Sequence, residues 1–283
     1  MPGNDVERLA GPSHPDKVLY PQDSVRKQDV FDYYRATSGV LIAHARGKPV
    51  TMRRFPDGIE AGGFFQKEAS KHFPDRVPRA SVPQRGGGPP VHHVLVEDEE
   101  TLLYLADQAC LEFHIALSTV DDLERPVLAV LDLDPPEGVD LATLRDVVRR
   151  MCDRMTDDGL APHLQATGGK GFHIAAPLDG DLGFDEVRSR MRELAERAAA
   201  DDPDRLTTEQ RKNKRGGRIF LDINRNAYGQ TMIAPYSLRA RPGAPAATPI
   251  DLGELGRVTP QSYGCANMAR RLAQKTDPWS ELH

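Results

Sequence analysis

Cysteine is scarce in this chain of 283 residues: Cys110, Cys152 and Cys265 are the only three. They lie far apart, make no C-x-x-C pair and supply no disulfide framework, so no structural zinc is expected and a reduced, cytoplasmic setting is. Long apolar runs are missing too. None approaches the roughly 18 residues of a membrane span, and Met1-Pro2-Gly3-Asn4-Asp5 has no hydrophobic signal segment, so no membrane partner is expected. The 23 prolines and 24 glycines follow no period, which excludes collagen-like chains and solenoids. Net charge is small, −5 from 37 Lys+Arg and 42 Asp+Glu. What remains is a globular balance, 39% hydrophobic and 28% charged, in a chain long enough for a sizeable core.

The distribution of charge says more than its sum. Arg46 to Arg85 holds nine basic and four acidic residues, Glu97 to Asp158 five and seventeen, and Arg205 to Arg241 nine and two. Two basic flanks around an acidic centre suit a polyanion groove with a metal site inside it. Solvated charged faces would give the same blocks.

Apolar residues at helical spacing predict helices over 30–45, 99–110, 141–155 and 187–198. Strands are expected at 50–55, 93–96, 111–117 and 127–133, with a hairpin of 163–166 and 172–176 around Gly168-Gly169-Lys170-Gly171. Residues 219–224 and 231–234 read as a last pair of strands, 79–90 as a glycine-rich loop, and 244–249 as the start of a Pro/Ala-rich coil. Hairpins mixed with helices indicate an α+β fold with mixed or antiparallel sheets flanked by helices, not a doubly wound parallel sheet.

Four places carry chemistry. Asp132 and Asp134 end the apolar run Val127-Leu128-Ala129-Val130-Leu131. Residues i and i+2 of a strand share a face with Cα atoms about 6.5–7 Å apart. Two carboxylates so placed attract Mg²⁺ or Mn²⁺, although a strand end with surface acids reads the same. Thr167-Gly168-Gly169-Lys170-Gly171-Phe172-His173 lacks Walker A spacing, but its glycines let backbone N–H groups approach an anion beside Lys170 and His173; a tight hairpin is the alternative. The basic run Arg211 to Arg218 delivers Asp222 into an apolar strand. Three carboxylates holding two cations about 3.5–4 Å apart are the arrangement of in-line phosphoryl transfer. Phe64-Phe65 behind Ala61-Gly62-Gly63 is a platform for stacking bases, or an anchor for its own loop.

Taken in order, Asp132-Leu133-Asp134, Gly168 to His173, Asp222, and Ala234-Pro235-Tyr236-Ser237-Leu238-Arg239-Ala240-Arg241-Pro242-Gly243 resemble the polymerase domain of bacterial ATP-dependent ligase D, in the archaeo-eukaryotic primase superfamily. The likeness extends to Asp16 to Pro21, Phe64 to Lys67, Leu111-Glu112-Phe113-His114 and Asp121 to Pro126, and so covers nearly the whole chain. It implies a primase-polymerase core that adds nucleotides, ribonucleotides preferred, at DNA gaps or double-strand-break ends in non-homologous end joining or related repair. The implied cofactors are two Mn²⁺ or Mg²⁺ ions, held by Asp132, Asp134 and Asp222, with NTP or dNTP as substrate. Thr167, Gly168, Gly169, Lys170, His173, Lys212, Arg215, Arg239 and Arg241 would contact the nucleotide, with His114 beside it. Lys17 and Lys27 resemble a pair that grips a DNA 5′-phosphate, and Phe64 and Phe65 a pair that stacks on the template.

The resemblance also implies one domain over 1–283, with a DNA-end-binding part at about 1–95, a catalytic core at about 96–250 and a tail at about 251–283. Thr167 stands where serine is usual, Arg225 where glutamine often is, and Arg76 where tryptophan is expected. The nearest match to the K-x-D-G of adenylating ligases, Phe55-Pro56-Asp57-Gly58, has no lysine. A stand-alone, nucleoid-associated polymerase working with a separate ATP-dependent DNA ligase and a Ku-type end-binding protein is therefore expected. A non-catalytic end-bridging module and a D-x-D phosphatase with Asp132 as nucleophile are the rivals.

Overall fold

The computed structural model describes residues 11–282. Along the chain run β1 (Val18–Tyr20), β2 (Val25–Arg26), α1 (Lys27–Ala45), β3 (Val50–Arg54), β4 (Phe64–Gln66), β5 (Arg79–Val82), β6 (Val91–Val94) and α2 (Glu99–Asp107). There follow β7 (Cys110–Ala116), β8 (Leu128–Asp134), α3 (Leu141–Asp157), β9 (His163–Ala166), β10 (Phe172–Pro177) and α4 (Phe184–Asp201). The rest is β11 (Leu206–Thr207), β12 (Ile219–Asp222), β13 (Thr231–Ile233), β14 (Thr248–Ile250) and α5 (Met268–Gln274).

The strands form two large sheets. The first has the order β13-β7-β3-β6-β5, with β4 added beside β3, and every pair in it is antiparallel. The second runs β11-β12-β8-β10-β9-β14 and is antiparallel except for β11 with β12. Helices α1 and α2 cover the first sheet in one core with Val50, Met52, Phe113 and Ile115. Helices α3 and α4 cover the second, against Leu131, Leu133, Phe172 and Ile174. This is the expected α+β class.

Local rules account for the helices. Asp98 caps α2 by accepting the Thr101 N–H, and Asp140 caps α3 by accepting that of Thr143, each worth about 1 kcal/mol. Leu144, Val147, Val148, Met151, Cys152 and Met155 recur every three or four residues, and α3 buries that stripe. Near the C-terminal end Trp279 is buried and donates its Nε1–H to the Leu164 carbonyl of β9, while Asp277 meets His44 of α1 at 2.6 Å. This segment therefore touches the layers of both sheets.

Three sequence expectations change. The supposed last pair of strands is divided: β12 pairs with β8, and β13 joins β7 in the other sheet. Thr248–Ile250, expected as coil, is the edge strand β14 beside β9. Arg79–Val82, expected as loop, pairs with β6. In each case the partner is distant in sequence or the strand is too short to show a period. Arg76 also gains an account, since its guanidinium lies over Tyr104 at 5.6 Å and its Nε is 2.5 Å from Glu100.

Candidate active site

The face of the second sheet away from α3 and α4 carries the site. Alternation along β8 sends Leu131 and Leu133 into the helical core and leaves Asp132 and Asp134 on the opposite face. Register then sets their neighbours. Asp132 lies directly between Asp222 of β12 and His173 of β10, and Asp134 lies opposite Phe220. One row, Asp222–Asp132–His173–Gln165, thus crosses four adjacent strands.

Above this row is a cavity of about 360 Å³. The second sheet contributes the three aspartates, His173 and Phe220, and the first contributes His114 and Ile233. Thr167, Gly169, Lys170, Lys212, Arg215, Arg239 and Arg241 also line it, together with Arg225. Six cationic side chains thus face three carboxylates, a surplus that suits a polyphosphate.

The charges are paired in a definite way. Arg215 donates from Nη1 to Asp134 Oδ2 at 2.8 Å while its guanidinium stacks 3.8 Å from the Phe220 ring centroid. Asp132 Oδ2 is 3.4 Å from His173 Nε2 and 3.5 Å from Arg225 Nη2. Burial would raise the Asp132 carboxyl, but the His173 ring, with Arg225 and Arg239, holds it below its ordinary value. Asp222 Oδ1 accepts both the backbone N–H and the side-chain amide of Asn224, which in turn accepts from Arg188 at 3.2 Å.

The three aspartates share a cavity, yet among the described residues no three His, Cys, Asp or Glu side chains are gathered as a ready-made cage for a metal ion. The cause is visible in those pairs: Arg215, Arg225 and Asn224 each hold a carboxylate that a cation would otherwise draw in. The residues still fit divalent ions. Like charges directly opposite across antiparallel strands repel, as Asp132 and Asp222 do here. An all-oxygen donor set of this kind suits Mg²⁺ or Mn²⁺.

The glycine motif works differently from the expectation. Gly168 N–H is taken by the Pro260 carbonyl and Gly169 N–H by Thr167 Oγ1. These two amides therefore face protein acceptors, and the glycines serve close packing. A Cβ on Gly171 would lie 1.8 Å from the Leu133 carbonyl oxygen, and one on Gly168 would lie 2.7 Å from Arg239 Cγ. Thr167 itself donates to the Gly171 carbonyl at 2.8 Å, so its hydroxyl shapes the loop. Lys170 is exposed and pairs with Glu137 at 3.1 Å.

Phe64 and Phe65 stand out from β4, 48% and 61% exposed. Arg54 lies over Phe64 and Arg53 over Phe65, and Phe65 meets His114 edge-on with centroids 5.5 Å apart. An open aromatic pair thus adjoins the cavity. Lys17 and Lys27 are adjacent through a backbone hydrogen bond, but only Lys17 is open, in an exposed pair with Asp57. The Lys27 ammonium is buried between Asp107 at 2.7 Å and Ser13 at 2.8 Å.

Several residues at the site escaped the sequence reading. Glu112 is buried on β7, two positions before His114 and on the same face. It is bonded to His114, Arg53, Arg239 and the Ala240 N–H. Its i,i+2 spacing to His114 was the available signal. Asn224 and Arg188 carried none.

An α+β scaffold of two sheets that turns an acidic row into a cavity ringed by cations is that of a nucleotidyltransferase of the primase-polymerase class. The model of the family described as LigD, primase-polymerase domain, matches residues 26–279, and this chain belongs to that family. It is 31% identical over 283 residues to the multifunctional non-homologous end joining DNA repair protein LigD of Mycobacterium tuberculosis, a match covering 97% of this chain and 37% of that protein. It is 28% identical over 287 residues to the bifunctional non-homologous end joining protein LigD of Bacillus subtilis, covering 98% of this chain and 46% of the relative. The chain thus spans under half the length of these relatives. Among solved structures, the polymerase domain from Mycobacterium tuberculosis ligase D in complex with DNA superposes with a TM-score of 0.89 at 30% identity, covering 98% of both chains.

Proposed function

We propose that this chain adds nucleotides, ribonucleotides in preference, to primer 3′ ends at DNA gaps or 5′-phosphorylated break ends, in non-homologous end joining or related repair. The observation that carries this reading is the row Asp222–Asp132–His173 beneath six cations in one cavity. Asp132, Asp134 and Asp222 would hold two Mn²⁺ or Mg²⁺ ions, whose chemistry is to make the primer 3′-OH a better nucleophile and to neutralise charge on the leaving pyrophosphate. Lys170, Lys212, Arg215, Arg239 and Arg241 bind the triphosphate and offset the negative charge that grows on its β- and γ-phosphates. Thr167, Gly168 and Gly169 set the loop that carries Lys170 and against which Arg239 packs, and His173 orients Asp132.

His114 sits between the aromatic pair and the nucleotide. Burial is the main influence that lowers its pKa, with Arg239 and Arg225 adding to it against the pull of Glu112, which favours the neutral ring near pH 7. Phe64 and Phe65 stack on template bases. Lys17 is the member of the lysine pair open to a 5′-phosphate, while Lys27 braces it through Ser13 and Asp107. A separate ATP-dependent ligase and a Ku-type protein would complete the joining.

A gapped, 5′-phosphorylated duplex incubated with Mn²⁺ and each NTP or dNTP tests the reading. Extension of the primer is expected, and it should vanish in Asp132→Ala/Asp134→Ala while most binding to the 5′-phosphorylated duplex persists. Full extension by that double variant would overturn the assignment. Release of phosphate from monoesters would favour a phosphatase, and binding without incorporation under any metal a bridging module.

A further inference from the structure

Glu112 lies outside the cavity and yet holds three side chains around it. Its Oε1 accepts from two donors, the Ala240 N–H at 2.9 Å and Arg53 Nη1 at 3.3 Å, and the charged Arg239 guanidinium lies beside it with Nε at 3.4 Å. Its Oε2 faces one, His114 Nε2 at 3.0 Å. Burial would raise this carboxyl, but the His114 hydrogen bond, the Arg239 charge and the Ala240 N–H keep it well below the usual range. An ionised carboxylate only accepts hydrogen bonds. The imidazole nitrogen that meets it must then carry a proton.

We propose that Glu112 is a positioning residue that fixes the His114 ring with its proton on Nε2, so that the ring offers a lone pair on Nδ1 instead of a second N–H. The same carboxylate joins the two halves of the site. Through Arg239 and the Ala240 amide it holds the segment that carries Arg239 and Arg241. Through Arg53, whose guanidinium lies 4.9 Å from the Phe55 ring and 5.2 Å from that of Phe65, it reaches Phe65 of the aromatic pair. A lone pair at His114 is what a nucleotide hydroxyl or a divalent cation would meet there. That consequence rests on the nucleotidyl-transfer reading, whereas the tautomer does not.

Glu112→Gln separates the ideas, because an amide has one accepting and one donating end. Two donors and the Arg239 charge crowd one oxygen and a single ring the other, so the glutamine carbonyl takes the crowded side and its NH₂ turns to His114. The ring proton then moves to Nδ1. The test is nitrogen NMR of imidazole-labelled protein near pH 7, with the His114 signals identified as those lost in His114→Gln. Wild type should show a protonated Nε2 and a bare Nδ1, and Glu112→Gln should show the reverse. On a gapped duplex the variant should lose kcat by about 10- to 100-fold, the range of losing an outer-shell partner, with little change in KM, and Glu112→Asp should recover much of it. A wild-type ring protonated on Nδ1, or an unchanged tautomer in folded Glu112→Gln, overturns the proposal. The wild-type spectrum decides even if the glutamine variant fails to fold. Absence of nucleotide addition with the expected spectrum would strike the reaction alone.

Discussion

Arg225 occupies the place of a competing cation, and its removal should strengthen metal binding. Its Nη2 is 3.5 Å from Asp132 Oδ2, with the side chain 39% exposed. Two unit charges at that distance attract by about 5 kcal/mol at an effective dielectric of about 20. Partial exposure and side-chain entropy reduce the net worth of such a pair to about 1 kcal/mol. A divalent ion drawn to Asp132 must displace this guanidinium or sit beside it, so the cost falls on the ion. Arg225→Gln should therefore bind Mn²⁺ about fivefold tighter, the factor that about 1 kcal/mol represents. Arg225→Lys, which keeps the charge, should stay near wild type. Titration of Mn²⁺ without nucleotide, followed by calorimetry or electron paramagnetic resonance, reads the constant directly. The triphosphate should respond in the opposite sense, binding more weakly to Arg225→Gln because one of six cations is gone. Unchanged or weaker Mn²⁺ binding in Arg225→Gln, or a lysine variant that behaves like glutamine, would refute the reasoning.

Two further predictions concern stability. Gly171→Ala places a methyl 1.8 Å from the Leu133 carbonyl oxygen, and should cost about 3 kcal/mol, or about 8 °C in a thermal melt followed by circular dichroism. Gly86→Ala, with nothing within 4 Å among the described residues, is the neutral control, and equal melting of the two variants would contradict the packing. Lys48 is buried with the His44 carbonyl at 2.8 Å, and burial lowers its pKa to about 8 from 10.5. The unfolded chain then binds more protons between those values, so this group's contribution rises with pH from about 8 to about 10.5, by about 3 kcal/mol in all. Lys48→Met should be more stable than wild type at pH 7 by about 2 kcal/mol, allowing for the lost hydrogen bond, and the gap should close above pH 10 in urea unfolding. A less stable methionine variant at pH 7 would disprove it.

What could be read from residue order was local. The run Leu128-Ala129-Val130-Leu131-Asp132-Leu133-Asp134 followed by two prolines announces a strand with two acids on one face, and β8 is that strand. The β9–β10 hairpin follows from glycines between two apolar runs. Pairing between distant segments left no such mark. Nothing within β12 and β13 shows that eight residues of turn between them carry the chain from one sheet to the other. The cavity's acids were legible because two carboxylates on one strand face show as an i,i+2 spacing, while Glu112, Asn224 and Arg188 act through partners fixed only after folding. Lys27 reads as a free cation in sequence and is buried against Asp107, 80 residues away.

The row from Asp222 to His173 turns strand alignment into a condition of chemistry. A slip of one residue between β8 and β10 would leave a hydrogen-bonded sheet, yet it would set Phe172 or Ile174 opposite Asp132 in place of a histidine. Gly171 sits at the mouth of that pairing, where only a residue without a side chain passes the Leu133 carbonyl. In the native alignment this close approach leaves no room there for Lys170 or Phe172, the neighbours on either side. The alignment of the strands and the placement of the acidic row thus depend on the same point of the sheet.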